Sequence, residues 1–506
     1  MSDTLQISKE LAPIDKEFAA LKSKVVDKYG QTSGNKFQEA WDFAKLAHGE
    51  QRRKSGELYV VHPLNTAKTL FEWGLDMDTI ISGLLHDVIE DGGATKADLA
   101  AKFNEDVSRI VDGVSVVSNI RLKESREAFF VESLRKMILT MAQDLRVVFV
   151  KLADRLHNMQ TISALPVNKQ HKIARETLEV FAPLAERLGM GQVKSALEDL
   201  SFKTLYAEEH GNLSPILNKM TSNSEDHIRK MSKNIQKRLV ENKIKSSISG
   251  RKKSVYSLWR KLKRPEIAGD IERIHDLMAM RVLVEEVSDC YVALGIIHSL
   301  YKPVPYLGVS DFIAQPKPNG YRSIHTKVFG EGGRIYEIQI RTWQMHEQAE
   351  MGAAAHWAYA EAKSSGVSDS QLESGVAVSD KLSWVTQLAS WQKQMSDSEE
   401  FVKAVKFDGL KQRNFVFTPK GDVYDLPEGA TPVDFAFALH TGLGRHIKGA
   451  KVNGKVVPLG RKLVSGDVVE IIKGKNPEKP NRDWLSFVVT TAARRGIRKI
   501  LAGEDK

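Results

Sequence analysis

Two histidines and two aspartates, His62, the adjacent pair His86-Asp87, and Asp154 within KLADRLHNM, are of the types that together hold a divalent cation. Imidazole with carboxylate suits manganese, iron or zinc better than calcium, and open positions on such an ion take water and phosphate. Water on such an ion loses a proton near neutral pH. In GLLHDVIED, Glu90 and Asp91 fall one helical turn beyond His86 and Asp87, able to orient or deprotonate that water for attack on phosphorus. The spacing predicts one helix presenting two ligands and two further carboxylates. A histidine capped by an aspartate in a helical core accounts for any one of these residues. Four of them in three apolar-flanked segments favour a hydrolytic metal centre.

A second group lies where the hydrophobic period changes. In RIYEIQIRT the alternation sets Tyr336, Ile338 and Ile340 on one face and Glu337, Gln339 and Arg341 on the other. A solvated outer face is the plain reading of such a strand taken alone. Its surroundings change that: GRKKSVYS brings Arg251 and Lys253, IHDLMAMR brings Asp276 and Arg281, and PKPNGYRSIHT brings Lys317, Asn319, Tyr321 and His325. Asp276 with Glu337 can hold magnesium, the cationic side chains can neutralise a triphosphate, and Tyr321 can stack on a purine. Those are the requirements of phosphoryl transfer, in which positioning and charge neutralisation provide most of the catalysis. The sequence has no Gly-rich P-loop, which excludes a P-loop NTPase.

Two kinds of scaffold must hold these residues. Up to about Leu205, segments such as KEFAALKSKVV, NTAKTLFEWGL, ESLRKMILTMAQ and HKIARETLEVFAPLAERLG show apolar residues at three and four spacing, which predicts an all-α region. A lysine-rich helical connector, roughly Ser222 to Lys243, leads into a mixed region in which MAMRVLVE, DFIAQPK, SIHTKVFG and RIYEIQIRT read as strands. Residues 363–380 read as a linker, followed by the short helical stretch LSWVTQLASWQKQM. From Asn414, NFVFTPKGDVYDLP predicts a hairpin turning at Lys420-Gly421-Asp422, and AKVNGKVVPL a second through Asn453-Gly454. VEIIK adds a strand, PVDFAFALHTGLG a helix between, and RDWLSFVVTTAARRGIRKIL one closing helix.

At 506 residues the chain is too long for one core, and its net charge of +10 favours polyanionic partners: nucleotides, RNA or a ribosomal surface. Positive charge concentrates at Arg251-Lys252-Lys253, Arg260-Lys261, Lys263-Arg264 and, on a helix face, Arg494-Arg495 with Arg498-Lys499. The single cysteine, Cys290, excludes a disulfide framework and a cysteine zinc cluster and fits a reducing, cytoplasmic setting. No run of apolar residues is long enough to span a bilayer, so a soluble protein without membrane partners is expected. Oligomeric state is left open.

The motifs HGEQRRKSGELYVVHP, GLLHDVIED, KLADRLHNM, APLAERLGMG, NGYRSIHT, EIQIRT, AAHWAY, FVFTPKGDVYDLPEGATPVDFAFALHT and GAKVNGKVVPL resemble those of the long RelA/SpoT-type alarmone enzymes, from about Gly30 to the end. The resemblance implies a multidomain fold with an all-α HD-type hydrolase domain, an α/β nucleotidyltransferase-like synthetase domain and a β-grasp-like TGS domain. The expected boundaries are a helical lead over 1–30, the hydrolase over 31–205, a connector over 206–243, the synthetase over 244–362, a linker with short helices over 363–412, TGS over 413–475 and a helical remnant over 476–506. It implies manganese (Mn2+) held by His62, His86, Asp87 and Asp154, with Glu90 and Asp91 activating water and Arg53, Lys54, Asn158 and Thr161 lining the nucleotide. The implied reaction there removes the 3′-pyrophosphate of (p)ppGpp. In the synthetase the resemblance implies magnesium (Mg2+) on Asp276 and Glu337, with Glu337 also the base for the 3′-hydroxyl. Arg251 and Lys253 match contacts to ATP phosphates, and Lys317, Asn319, Tyr321, His325, Gln339 and Ala349 match the GDP/GTP pocket. Ser257 and Arg341 are further nucleotide-binding candidates. The TGS domain implies contact with uncharged tRNA on the ribosome, with His440 at the matching histidine.

Three departures stand out. Leu58 replaces a usual proline, Ser254 a usual histidine, and Gly308-Val309-Ser310-Asp311 stands where bifunctional members carry RFKD and synthetase-only members EFDD. Losing a charged partner to phosphate removes roughly 1.5 to 3 kcal/mol. The zinc-finger-like and ACT domains of the family have no counterpart after RDWLSFVVTTAARRGIRKIL, which predicts weaker ribosome docking. The expectation is a bifunctional enzyme, a (p)ppGpp 3′-pyrophosphohydrolase and GTP/GDP pyrophosphokinase. The alternatives are a hydrolase whose synthetase domain serves as a regulator, and a ribosome- or tRNA-binding regulator.

Overall fold

The computed structural model describes residues 2–118, 140, 143–263, 267, 270–271, 274, 278–305, 308–317, 320–330, 333–354, 413–474 and 480–502. Asp276, Asn319, the linker through 412 with LSWVTQLASWQKQM, and most of ESLRKMILTMAQ and AAHWAY lie outside the described residues. The rest forms two compact units: one runs to Ala314 and resumes at Gly320, and the other comprises 315–317 and the residues from 413 onward.

The first unit begins with helices α1 (Ser2–Tyr29), α2 (Gln31–His48), α3 (Val61–Glu72), α4 (Met77–Leu85), α5 (Lys96–Lys102), α6 (Glu105–Ser118), α7 (Arg146–Gln160), α8 (Val167–Glu176), α9 (Ala182–Arg187) and α10 (Gly191–Leu205). Their apolar stripes meet in a core that includes Phe37, Trp41, Leu64, Leu70, Ile80, Leu84 and Phe149. Asp76 starts α4, its carboxylate accepting the Thr79 N–H at 2.9 Å and the Thr79 hydroxyl at 2.6 Å. Gly83 lets α4 lie close on α3, since a Cβ there would stand 2.4 Å from Leu70 Cδ1 and 3.3 Å from the Ala67 backbone. GLLHDVIED is not the single helix expected. α4 ends at Leu85, and residues 86–91 continue as turns in which Asp91 N–H bonds the Asp87 carbonyl at 2.8 Å. The path breaks at Gly92-Gly93, where Gly93 has φ of +71° and Ala94 N–H closes on the Val88 carbonyl.

The unit continues with α11 (Ala207–Glu241), β1 (Ser246–Lys252), α12 (Val255–Leu262), β2 (Met278–Val284), α13 (Val287–Leu300), β3 (Ser310–Asp311), β4 (Ile324–Phe329), β5 (Ile335–Thr342) and α14 (Trp343–Met351). The sheet order is β1-β2-β5-β4-β3, parallel between β2 and β5 and antiparallel elsewhere. Met280, Val282, Ile324, Ile338 and Ile340 on one face pack with Ile228, Met231, Ile235 and Leu239 of α11 and with Cys290, Ala293 and Ile297 of α13. The opposite face is left to the polar residues. DFIAQPK is not a strand: pairing stops at Asp311, whose Oδ1 accepts the N–H of Ile313 and Ala314, both at 2.9 Å, and bends the chain into a turn.

Within this unit α10 packs against α12 and α14. Phe202 and Tyr206 each place a ring 4.9 Å from that of Trp259. Glu198 is buried there, 4.0 Å from Lys194 and 3.9 Å from Arg260, and burial outweighs both cations to push its carboxyl up to about 7.

The second unit holds β6 (Arg413–Phe417), β7 (Val423–Pro427), α15 (Pro432–Leu439), β8 (Ile447–Val452), β9 (Lys455–Val457), β10 (Val469–Lys473), α16 (Trp484–Phe487) and α17 (Thr491–Ala502). Asn453 and Gly454, at φ of 52° and 77°, make the tight turn between β8 and β9. The closing segment is two helices rather than one. The break falls where Asp434, buried at the start of α15, accepts the N–H of Val489 and Thr490 and the Thr490 hydroxyl, at 2.9, 2.7 and 2.9 Å.

Two outcomes are expected. Gly83→Val lowers stability by about 3 kcal/mol in urea unfolding and weakens metal binding with it, because overpacking drives α3 and α4 apart. For Glu198 the folded-state pKa is raised, so its contribution is present below the unfolded value and lost as pH rises towards about 7 and beyond. Glu198→Gln therefore stabilises the chain by about 2 kcal/mol at pH 8 and little at pH 4.5, as read from denaturation midpoints.

Candidate active sites

His62 sits in the first turn of α3, His86 and Asp87 directly after α4, and Asp154 in the middle of α7. These elements bring four atoms together. His62 Nε2 lies 3.2 Å from His86 Nε2, 3.2 Å from Asp154 Oδ1 and 3.6 Å from Asp87 Oδ2, while His86 Nε2 lies 3.1 Å from Asp87 Oδ2 and 4.0 Å from Asp154 Oδ1. Ligand atoms about 2.1 Å from one ion are about 3 to 4 Å from each other, so His62, His86 and Asp154 could hold a divalent cation, with Asp87 Oδ2 close to both imidazoles. Two imidazoles and two carboxylates suit manganese, iron or zinc.

The ring orientations are fixed from behind. His86 Nδ1 donates to the Gly83 carbonyl at 2.8 Å, which turns Nε2 to the centre. His62 Nδ1 stands 2.8 Å from His157 Nδ1, and Arg53 Nη1 3.4 Å from the same atom. Burial first, then the charges of His62 and Arg53, push His157 down to about 3. It is therefore neutral and accepts, so His62 donates through Nδ1 and offers Nε2 to the ion. Burial also lowers the pKa of His62. For His86 burial acts downward, but the charges of Asp87 and Asp154 win and raise it to about 9. Burial acts upward on Asp87 and Asp154; the His86 charge on Asp87, and Lys151 with both histidines on Asp154, outweigh it and keep both carboxyls below the usual range.

Three contributors escaped the sequence reading. Tyr59 places its hydroxyl 2.9 Å from Asp87 Oδ2 and 3.0 Å from Asp91 Oδ2, and Lys151 lies 2.6 Å from Asp154 Oδ2. His157 is the third, and its place three residues after Asp154, one turn along the same face, was a usable signal. Arg53, Asn158 and Thr161 are brought together: Arg53 donates to Asn158 Oδ1 at 2.5 Å and to Thr161 Oγ1 at 3.1 Å, and Asn158 donates to Asp154. Glu90 is half-buried, whereas Asp91 and Lys54 are exposed.

On the sheet, register places Glu337 beside Ala279 and Lys327, and Gln339 beside Arg281 and His325, so the polar residues form two neighbouring rows. Arg251 pairs with Ala279 in the same row. His325 Nδ1 lies 3.1 Å from Glu337 Oε1, its Nε2 2.7 Å from the Tyr321 hydroxyl, and Lys253 Nζ 3.7 Å from Glu337 Oε2. The predicted polar face is not solvated: Gln339 and Arg341 are buried. Arg341 Nη2 donates to Glu350 Oε1 at 2.9 Å and lies 2.8 Å from His346 Nδ1, and Arg281 donates to the same Glu350 oxygen at 2.7 Å. Ser257 lies in the first turn of α12, Ala349 on α14, and Lys317 in the second unit, its ammonium 5.6 Å from the Phe415 ring centroid. At the departure from the RFKD pattern, Gly308, Val309 and Ser310 are exposed, and Asp311 Oδ2 accepts the Tyr291 hydroxyl at 3.0 Å. In the second unit His440 is exposed, its Nδ1 accepting the Gly442 N–H at 3.1 Å.

These features define a multidomain chain that joins a helical domain with a buried cation site to a mixed sheet with a polar face and a small β-rich module. Residues 40–191 match the HD domain, 250–364 the region found in RelA/SpoT proteins, and 414–473 the TGS domain. The chain is 42% identical over 484 residues to the guanosine-3′,5′-bis(diphosphate) 3′-pyrophosphohydrolase of Aquifex aeolicus, covering 96% of this chain and 67% of that one. It is 44% identical over 471 residues to the GTP pyrophosphokinase of Myxococcus xanthus and, equally, to the bifunctional (p)ppGpp synthase/hydrolase RelA of Mycobacterium tuberculosis, covering 93% of this chain and 60% and 63% of theirs. The chain belongs to the RelA/SpoT family and spans about two thirds of the length of these relatives.

Replacing His157 with alanine is expected to weaken manganese binding roughly 10- to 100-fold by calorimetry, because His62 loses the acceptor that fixes its tautomer. Unchanged affinity would remove His157 from the site.

Proposed function

We propose that the chain is a bifunctional alarmone enzyme: it hydrolyses (p)ppGpp to GDP or GTP plus pyrophosphate, and makes (p)ppGpp from ATP and GDP or GTP. The observation that carries the hydrolase reading is the convergence of His62, His86, Asp87 and Asp154 on one point. When bound there, manganese supplies Lewis-acid activation of water and of the 3′-phosphate. Glu90 and Asp91 take the proton of the attacking water, and Tyr59 holds Asp91 and Asp87 together. Arg53 and Lys54 neutralise phosphate charge, with Asn158 and Thr161 fixing the Arg53 guanidinium. The water oxygen bonds to the phosphorus as the bond from phosphorus to the 3′-oxygen breaks; the 3′-oxygen takes up a proton to become the hydroxyl of GDP or GTP, and pyrophosphate is released.

In the sheet, Glu337 accepts the proton of the nucleotide's 3′-hydroxyl as it attacks the β-phosphorus of ATP, and AMP leaves. His325 orients Glu337, and Lys253 stands where triphosphate charge needs neutralising. Arg251, Ser257, Gln339, Arg341 and Ala349 complete the nucleotide surface in this reading, and Tyr321 stacks on guanine. Glu337 with Asp276 would hold magnesium in this reading. No described helix is long and apolar enough to cross a membrane, and the family's nucleotide substrates support a cytoplasmic setting. TGS, through His440, is proposed to meet uncharged tRNA on the ribosome.

A second reading, a hydrolase whose sheet domain is regulatory, is favoured by the exposed, uncharged Gly308-Val309-Ser310. The deciding variant is His86→Ala/Asp87→Ala, incubated with ATP, magnesium and GDP or GTP. The bifunctional reading expects (p)ppGpp that disappears when Glu337→Gln is added. No product, from a chain whose unmodified form hydrolyses ppGpp with manganese, would leave the hydrolase alone.

A further inference from the structure

Away from both sites, one carboxylate of the helical region reaches into the sheet region. Asp199 lies on α10, and its Oδ1 accepts the backbone N–H of Tyr256 at 3.0 Å. The Ser254 hydroxyl, 3.0 Å from Ser257 Oγ, lies near the same carboxylate. Tyr256 is the second residue of α12, and Ser254 is that helix's N-cap, its Oγ accepting the Ser257 N–H at 3.2 Å. The first N–H groups of a helix have no partner inside it and carry its positive end, so a carboxylate from another helix is a strong anchor there. The next residue back, Glu198, faces Arg260 in the last turn of α12 at 3.9 Å. Consecutive residues of α10 therefore face the two ends of α12, Asp199 bonding its first turn and Glu198 lying near Arg260, and Phe202 packs on Trp259 between them.

Lys253 immediately precedes the cap, with Nζ 3.7 Å from Glu337 Oε2. Its Cα is fixed on one side by β1 and on the other by a helix start that Asp199 holds. Ser254, where the family usually has histidine, belongs to the same arrangement: its short hydroxyl caps α12 directly beside the Tyr256 N–H that Asp199 holds.

We propose that Asp199 is a positioning residue for nucleoside triphosphate binding in the sheet domain, acting from the helical domain through the turn that carries Lys253. This rests on the reading of the Glu337 face as the pyrophosphate-transfer site. Asp199→Ala, in the full chain carrying His86→Ala/Asp87→Ala, is expected to raise KM for ATP about tenfold, the loss of one charge-assisted contact, while KM for GDP stays unchanged. Asp199→Asn keeps an acceptor for the Tyr256 N–H and is expected to restore most of the ATP affinity. In the chain with the hydrolase residues intact, Asp199→Ala leaves ppGpp hydrolysis unchanged, and amide exchange at Tyr256 accelerates.

ATP affinity is also measured directly by calorimetry, which separates this proposal from the reading beneath it. A parent that binds ATP as tightly as its Asp199→Ala variant overturns the positioning role alone. A parent that neither binds ATP nor forms product overturns both. Equal losses for ATP, GDP and hydrolysis, with a lowered melting temperature, would make Asp199 a stabilising contact only and overturn the proposal as well.

Discussion

Two imidazoles whose Nε2 atoms lie 3.2 Å apart, each within 4 Å of the carboxylates of Asp87 and Asp154 and largely removed from water, favour positive charge at their centre. Burial penalises each ionised group, and only a cation or a bound proton balances the carboxylates. The raised pKa of His86 expresses that preference: without an ion, its proton answers the charges of Asp87 and Asp154. The helical region is arranged around the same constraint. α3 and α4 approach closely at Gly83, α7 lies behind them, and Tyr59, Lys151 and His157 satisfy the outward-facing atoms of the ligands.

The sheet solves a different problem. α11 and α13 cover the apolar face of the sheet, and the pleat turns every second residue of the central strands to the other side. Register then sets those residues in rows, and the diagonal contact of His325 with Glu337 follows from the antiparallel pairing of β4 and β5. Arg281 and Arg341, both on Glu350, give the face a rigid floor.

Much of this was legible in residue order. Period-two segments marked β2, β4 and β5 but not β1, Asn-Gly and Lys-Gly-Asp marked the hairpins, and residue type picked out the His and Asp side chains that come together. What escaped had local causes in two places and distant ones in others. Nothing local in GLLHDVIED ends the helix at Leu85 except the glycine pair downstream, and nothing in DFIAQPK announces that Asp311 turns back on its own chain. Periodicity in RDWLSFVVTTAARRGIRKIL is continuous, yet Asp434, more than fifty residues earlier, takes its amides at 489 and 490 and divides it. Lys151 and Tyr59 looked like ordinary helix and loop residues because their roles exist only opposite a carboxylate.

That same aspartate has a consequence for the module it closes. Val488, Ala493, Ile497 and Ile500 pack with Val433, Ala436, Phe437 and Ile447, so the hydrophobic interior of the β-rich module is completed only by residues beyond its last strand. The minimal folding unit therefore extends past the sequence-defined TGS boundary to α17. Because α17 is packed along its apolar side, the exposed Arg494, Arg498 and Lys499 are carried on a backbone fixed to the module, which gives their positive charge a defined place on its surface.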